Sequence, residues 1–422
     1  MGHLSKHLLK PEGAAVLLCC ASLSAFAADK IVHDAECYIL EAQHGERWDR
    51  EDQEIDEMLA TIRAKHGDKR PNIVYILIDD IGFGQMGNRT LNAVIGVDTP
   101  NINRFATEGL SFMRMYSEPS CTPTRTALMT GRLPIRSGAD EVKGMIVGEG
   151  LPASEVTIAE VLSKAGYRTS HVGKWHMGDI DQSFPHNQGF DYAAFPVHQQ
   201  VQLGLMIDEA ADAFNMLGFA DKTQSNAFDM DKTFKPLGMV TGLEAKKGGK
   251  AREVDLKPGE KWTQNHYIKM NERYQRQTLE QLRELAKGDE PFFLQYWPLW
   301  PINFVNDQEQ NVSRNGGTCA EKLQRLDGML GEVFTEINKL GIAENTVVVV
   351  MSDNGPMHAY SSSVTGLTEL VYRGGKTQHL EGGVRVDAFV RWPGVIEENA
   401  IARDIVHVSD LYTTFALSLI HI

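Results

Sequence analysis

The sequence predicts an α/β fold, a large, mainly parallel sheet sandwiched between helices. Three observations point there. Residues 71–78 and 346–351 are continuous apolar runs rich in β-branched side chains, as in strands buried on both faces. Segments of helical periodicity alternate with such runs. The runs end in polar clusters, and open α/β sheets bind ligands beyond the carboxyl ends of their strands.

Taken in order, residues 1–27 read as a signal peptide. Lys6 and Lys10 give a positive start, residues 14–23 an apolar run containing Cys19 and Cys20, and Ala25-Phe26-Ala27 a small-x-small cleavage pattern. The apolar run is too short to span a bilayer, and no later stretch is a candidate span. The expected location is therefore periplasmic or secreted. Residues 28–70 form a charged, helix-like appendage expected to pack on the main domain.

The main domain covers 71–400. Its first strand, 71–78, runs into Asp79-Asp80-Ile81-Gly82-Phe83-Gly84. Thr157 and Glu160 have capping-box spacing, opening a helix that carries Val161, Leu162 and Ala165 and stops at Gly166. A strand follows over 167–172. A helix carrying Leu279, Leu282 and Leu285 precedes a strand over 291–296. A longer helix carries Leu323, Leu326, Leu330, Val333, Ile337 and Leu340, ends at Gly341, and leads into the strand at 346–351. Residues 200–268 lack steady periodicity and read as surface loops and short helices, either shaping a pocket or serving as a structural insertion. Residues 401–422 begin a C-terminal region.

The 422 residues carry a formal charge of −14 with 42% hydrophobic residues. A core of that size needs no disulfide staples. An acidic chain without a basic run argues against nucleic acid or an anionic membrane as partner, so an anionic substrate would need a local cationic pocket. Beyond the leader three cysteines remain, Cys37, Cys121 and Cys319, and the odd number singles out one thiol.

The chemistry gathers at the strand ends. Adjacent carboxylates such as Asp79 and Asp80 repel and call for a cation. Asp353 and Asn354 add oxygen ligands, and this hard-oxygen set suits Ca²⁺ or Mg²⁺ and not zinc. An ordinary turn or helix cap is the alternative. Lys174 and His176 alternate along an extended chain, so both can face one side, where they could bind an anion and move a proton. A snorkelling lysine and a core histidine are the plainer reading. Pro123 and the helix formers after it place Cys121 at a helix N-terminus, where backbone N–H groups favour negative charge. Arg125 follows one turn on. That setting supports a thiolate, yet no His–Asn arrangement for a cysteine hydrolase accompanies it, and a buried structural cysteine stays open.

Together these motifs resemble the sulfatase family, within the alkaline phosphatase-like superfamily. Cys121-Thr122-Pro123-Thr124-Arg125, continued by Thr130-Gly131-Arg132, is similar to the family's modification motif, with Thr124 where serine is common. Gly173-Lys174-Trp175-His176-Met177-Gly178 is similar to its second motif. Asp79-Asp80, Asp353-Asn354-Gly355, and Lys376 with Glu381-Gly382-Gly383-Val384-Arg385 also match, in the family's order, between about Pro71 and Pro393.

The resemblance implies an alkaline phosphatase-like fold with a smaller C-terminal domain, here expected to be truncated. It implies that Cys121 is oxidised to Cα-formylglycine by a formylglycine-generating maturation enzyme, and that the hydrated aldehyde attacks sulfur. It implies a divalent cation, Ca²⁺ before Mg²⁺, held by Asp79, Asp80, Cys121, Asp353 and Asn354. Arg125 would steady the aldehyde hydrate, and Lys174, His176 and Lys376 would surround the sulfate. The implied reaction is hydrolysis of aryl or similar organic sulfate esters, small or glycan-borne. The alternatives are a phosphate or phosphonate monoester hydrolase of the same superfamily, and a non-catalytic binder of sulfated glycans.

One departure concerns the leaving group. The family places a histidine near a proline after the strand at 291–296, whereas this chain has Trp297-Pro298-Leu299-Trp300-Pro301-Ile302-Asn303. Its aromatic residues would line an apolar pocket or belong to the core, and His198, His358 or His379 would stand in for the missing histidine. With Cys121 set aside, Cys37 and Cys319 form an even pair for which an export compartment permits a disulfide.

Overall fold

The computed structural model describes residues 35–67, 69–142, 148–197, 237–238, 241–257, 260, 262–300, 317–356 and 371–419. The expected leader, His198, His358, residues 301–303, the Cys319 side chain and most of 200–240 lie outside them.

The chain divides into two units, residues 1–56 and 57–422. Helix α1 (Ala35–His66) runs through the end of the first into the second and buries none of its side chains fully. Within the second unit its Leu59 and Ile62 pack against the core. Strand β1 (Asn72–Ile78) is followed by α2 (Arg89–Ile95), α3 (Pro100–Thr107), β2 (Leu110–Phe112) and β3 (Met115–Tyr116). Next come α4 (Cys121–Thr130), α5 (Ile158–Lys164), β4 (Arg168–Gly173) and β5 (Tyr192–Pro196). Strands β6 (Gly242–Lys246) and β7 (Arg252–Glu253) lead to α6 (Gln264–Leu285), β8 (Phe292–Trp297), α7 (Gly317–Lys339) and β9 (Thr346–Ser352). The chain closes with α8 (Glu381–Val384), β10 (Arg385–Val386), β11 (Ala388–Arg391), β12 (Ala400–Ala402), β13 (Val406–His407) and α9 (Asp410–Thr414).

Ten strands form one sheet in the order β12-β2-β11-β9-β1-β8-β4-β5-β6-β7. The five central strands, β9 to β5, are parallel, and the antiparallel pairings lie towards the margins. The continuous apolar runs are these central strands: every residue of β1, β8 and β9 is buried. Side chains alternate between faces with the period of two that a strand imposes. Val74, Ile76 and Ile78 meet α6 and α7 on one face, while Ile73, Tyr75 and Leu77 meet α4 and α5 on the other. Each such aliphatic side chain contributes about 1.5–3 kcal/mol by leaving water. The capping box of α5 is present, with Thr157 Oγ1 accepting from Glu160 N–H at 3.2 Å and Glu160 Oε2 from Thr157 N–H at 2.8 Å.

The reading of residues 200–268 as loops and short helices is corrected where it is described. β6 and β7 extend the sheet margin there, and α6 already begins at Gln264. Their signal was hidden because β6 is short and of mixed burial and β7 is a two-residue edge strand facing solvent, and neither needs an apolar run. The aromatic stretch from the last residue of β8 onward is core: Trp297, Leu299 and Trp300 are buried.

A residue the sequence reading passed over ties the centre together. The Asp387 carboxylate accepts from the N–H groups of Gly84 at 2.9 Å and Met86 at 3.2 Å, and its carbonyl accepts from Ser352 N–H at 3.1 Å. It thereby fixes the loop after β1 against the end of β9. Burial pushes its carboxyl up to about 7, against an ordinary 3.8. Asp387→Ala strands two buried donors and is expected to cost about 2 kcal/mol. The sign with pH follows from the raised folded-state value. Stability from the protonated form is complete below the unfolded value and lost as pH rises through 7. Urea unfolding of both proteins between pH 4 and 8 should show the wild-type advantage shrinking up to about pH 7 and level above it.

Candidate active site

Strands β1 and β9 are adjacent and in register, Ile78 opposite Ser352, so the residues that follow them meet at one sheet edge. Asp79 and Asp80 leave β1 there, Asp353 and Asn354 leave β9, and all four are buried. Asp80 N–H donates to Asp353 Oδ1 at 3.0 Å, and Asn354 Nδ2 donates to Asp80 Oδ1 at 2.7 Å.

Cys121 is the first residue of α4, with Ser120 extended as its N-cap, and every residue of that helix is buried. Its thiol lies 3.5 Å from Asp79 Oδ1 and 3.8 Å from Asp80 Oδ1. One turn on, Arg125 reaches between two strand ends, donating to Asp353 Oδ2 at 2.8 Å and Asp79 Oδ1 at 3.2 Å. Its other nitrogen donates to the Lys174 carbonyl at 2.9 Å, and its guanidinium lies 4.8 Å from the Trp297 ring centre. Lys174 grips both oxygens of Asp79, at 2.7 and 2.8 Å, and stands 3.4 Å from the sulfur. Lys376 donates to Asp80 Oδ1 at 2.6 Å and to the sulfur at 2.8 Å. Three carboxylates thus face three cations around one thiol.

His176 joins the group by a route the sequence reading missed. The chain after β4 does not stay extended: His176 has a left-handed backbone, φ 62°, and Thr122 Oγ1 donates to its carbonyl at 2.8 Å. Both ring nitrogens are buried and lack a hydrogen-bond partner among the described residues. Asp80 (φ 58°) and Thr377 (φ 69°) share this conformation, which costs a non-glycine residue about 1–3 kcal/mol and persists where the surroundings enforce it. Gly173 (φ 109°) has a simpler reason, since a Cβ there would lie 1.9 Å from the Trp297 carbonyl oxygen. Only glycine lets the end of β4 close on β8.

Burial decides the states of the thiol and the imidazole. It pushes the Cys121 thiol far above its usual value, and Asp353 and Asp79 push further, outweighing the helix terminus and the lysines. The thiolate favoured by position alone is therefore absent at neutral pH. Burial, then Lys174 and Arg125, hold His176 well below the usual histidine range, as a neutral imidazole. For Asp79 burial opposes ionisation, but Lys174, Lys376 and Arg125 prevail and keep it well below the usual carboxylate range. Burial and the neighbouring Asp79 raise Asp353 to about 7. Lys376 resists its own burial and stays protonated through Asp80 and the groups beyond it.

The donor set fits a hard cation. Ligand atoms of Asp79, Asp80, Cys121 and Asp353 all lie within 4.8 Å of one another, and buried Asn354 Oδ1 has no partner among the described residues. Oxygen donors of this kind suit Ca²⁺ or Mg²⁺, and the soft sulfur is the one that does not. Of the three stand-in histidines, His379 is described. It lines a cleft of about 600 Å³ that also touches Ser120 and Pro123, on either side of Cys121.

Comparison with known proteins agrees with this geometry. The sequence profile of the Sulfatase family matches residues 71–420. Human arylsulfatase A is 32% identical over 357 residues, covering 82% of this chain and 63% of that protein. Rat N-acetylgalactosamine-6-sulfatase is 30% identical over 368 residues, covering 83% and 62%. The chain thus spans about three fifths of the length of these curated relatives. Among solved structures, the PsFucS1 sulfatase from Pseudoalteromonas sp. superposes with a TM-score of 0.73 at 28% identity, covering 88% of this chain and 71% of that one. A phosphonate monoester hydrolase of Agrobacterium radiobacter, 17% identical with a TM-score of 0.51 and covering 83% and 74%, shares the fold. With a profile match over most of its length, the chain belongs to the sulfatase family of the alkaline phosphatase-like superfamily.

Proposed function

We propose that this protein hydrolyses sulfate esters of organic alcohols, with Cys121 as the precursor of a Cα-formylglycine and a divalent cation, Ca²⁺ before Mg²⁺, beside it. The observation that carries the proposal is the misfit of the thiol itself. It is buried among hard donors, protonated, and pressed between two lysines that favour an anion. Exchanging its sulfur for oxygen completes an all-oxygen ligand set.

Asp79, Asp80, Asp353, Asn354 and residue 121 would hold the cation, which when bound polarises the sulfuryl oxygens as a Lewis acid. The hydrated aldehyde, when formed, supplies one hydroxyl to attack sulfur and a second through which sulfate can be expelled. An ordinary alcohol would be left as a stable sulfate ester. Lys174 and Lys376, 3.4 and 2.8 Å from position 121, would flank the sulfate oxygens. Arg125, anchored on Asp79 and Asp353, would steady residue 121. Neutral His176 would take the proton whose loss releases sulfate, and protonated Lys376 would deliver one to the departing oxygen. Three carboxylates already balance three cations, so a bound dication leaves a local positive excess that draws in an anionic ester despite the chain's net charge of −14.

The relatives' names span aryl, steryl and N-acetylgalactosamine-6 sulfates, in keeping with sulfate monoesters as the class. Maturation would require a formylglycine-generating enzyme, and the place of action would be the periplasm or the cell exterior. Among the described residues no helix is long and apolar enough to cross a membrane. Matured, calcium-loaded protein should cleave 4-nitrophenyl sulfate with a higher kcat/KM than 4-nitrophenyl phosphate. The reverse order would assign it to phosphate monoesters. Tight binding of sulfated glycans without any turnover would make it a binder.

A further inference from the structure

We propose that the cleft beside the N-terminus of α4 receives the alcohol portion of the ester, and that its charge selects alcohols with apolar ring surface and no second anionic group. This rests on the sulfate-ester reading above and adds the substrate class.

Position comes first. Ser120 and Pro123 bracket Cys121 and form one wall of the cleft, and Thr377, next to Lys376, forms part of another. The walls are joined where Thr377 N–H donates to the Pro119 carbonyl at 2.7 Å. A sulfate gripped by Lys174 and Lys376 therefore has its ester oxygen, and whatever that oxygen carries, beside this cleft. A volume of about 600 Å³ is in the range of small-molecule sites.

Lining comes second. Leu133, Ile135 and Val142 are 49%, 69% and 40% exposed, so apolar surface lies open next to the reacting centre. A ring laid across it would remove that surface from water.

Charge comes third. Glu118, Asp140 and Glu141 line the cleft, and among its described lining residues there is no lysine or arginine. Glu118 Oε1 lies 3.6 Å from His407 Nε2, whereas Asp140 and Glu141 are exposed towards solvent. The sulfate end, with Lys174, Lys376 and the proposed dication, thus carries the positive excess, and the alcohol end carries exposed carboxylates. A monosulfate with a neutral or cationic alcohol is oriented by this polarity. An alcohol bearing another sulfate or a carboxylate meets like charge.

The test uses two compounds of nearly one shape, 4-sulfooxybenzamide and 4-sulfooxybenzoate, which differ by one negative charge. Binding to calcium-loaded Cys121→Ala protein, read by calorimetry, should favour the amide by about fivefold, the size expected of exposed charges a few ångströms apart. The preference should fall towards unity in the same protein carrying Asp140→Asn and Glu141→Gln, and also as salt is raised. A purely structural role for two exposed carboxylates would leave that ratio unmoved. Ile135→Ser should weaken both compounds alike. An unchanged ratio in the double variant, or tighter binding of the benzoate by Cys121→Ala protein, overturns the assignment. Turnover of both compounds by matured protein is scored separately. A responsive ratio without turnover would overturn sulfate hydrolysis and leave the cleft standing, and turnover with an unresponsive ratio would do the opposite.

Discussion

Cys121→Ala is expected to lower turnover of 4-nitrophenyl sulfate by at least about a thousandfold, with the fold retained. The size follows from removing the atom to which the nucleophilic oxygen would be attached, a loss that binding and electrostatics alone do not recover. The stability cost should be small, on the order of 1 kcal/mol, because alanine fits the space and no charge is stranded. Cys121→Ser is the more telling companion. Its hydroxyl stands at the same place but has no geminal partner, so it should accept sulfate once and stall. Mass spectrometry of the tryptic peptide over residues 115–125, which contains residue 121, reads both states. Matured wild type should have lost hydrogen sulfide and gained one oxygen at residue 121, and the serine variant should retain a sulfate. Steady turnover by the alanine variant would sink the mechanism.

Asp79→Ala should be the most damaging change to stability. Asp79 takes both bonds from Lys174 and one from Arg125, and all three side chains are nearly or wholly inaccessible. Breaking a buried pair leaves cations without compensation, at about 3–5 kcal/mol. The same change removes a cation ligand. Wild-type protein should melt higher with calcium than with chelator, by mass action on the folded state. The variant should melt lower in both and show little difference between them. A variant that still responds to calcium as the wild type does would place the ion elsewhere.

The sequence made the centre legible and the margins opaque, for one physical reason. Strands buried on both faces must be apolar throughout, so β1 and β9 announced themselves, and with them the polar residues at their ends. β7 has one neighbour and water, β6 is a short strand of mixed burial between it and β5, and nothing in their composition had to declare either. At the site, residue types and motif order pointed to Asp79, Asp80, Cys121, Arg125, Lys174, His176, Asp353, Asn354 and Lys376, and the fold brings them together. Their electrostatics were less legible. A helix N-terminus favours a thiolate, but burial outweighs it, and burial is a property of the assembled core. His176 was expected on an extended chain because alternation is all that spacing can express. Its left-handed turn depends on Thr122, remote in sequence. Asp387 gave no signal at all, because its partners are backbone N–H groups whose positions only the fold creates.

The burial of α4 also bears on the order of events in the protein's life. Residues 121 to 130 are buried, and the groups that surround Cys121 arrive from as far along the chain as Lys376. If residue 121 is converted as proposed, an enzyme that has to reach it and its neighbours Pro123 and Arg125 would have to act before these groups close over it. Conversion would then compete with folding. A chain that folds first would lock its own precursor away, and the fraction of active molecules would be decided by which process is faster.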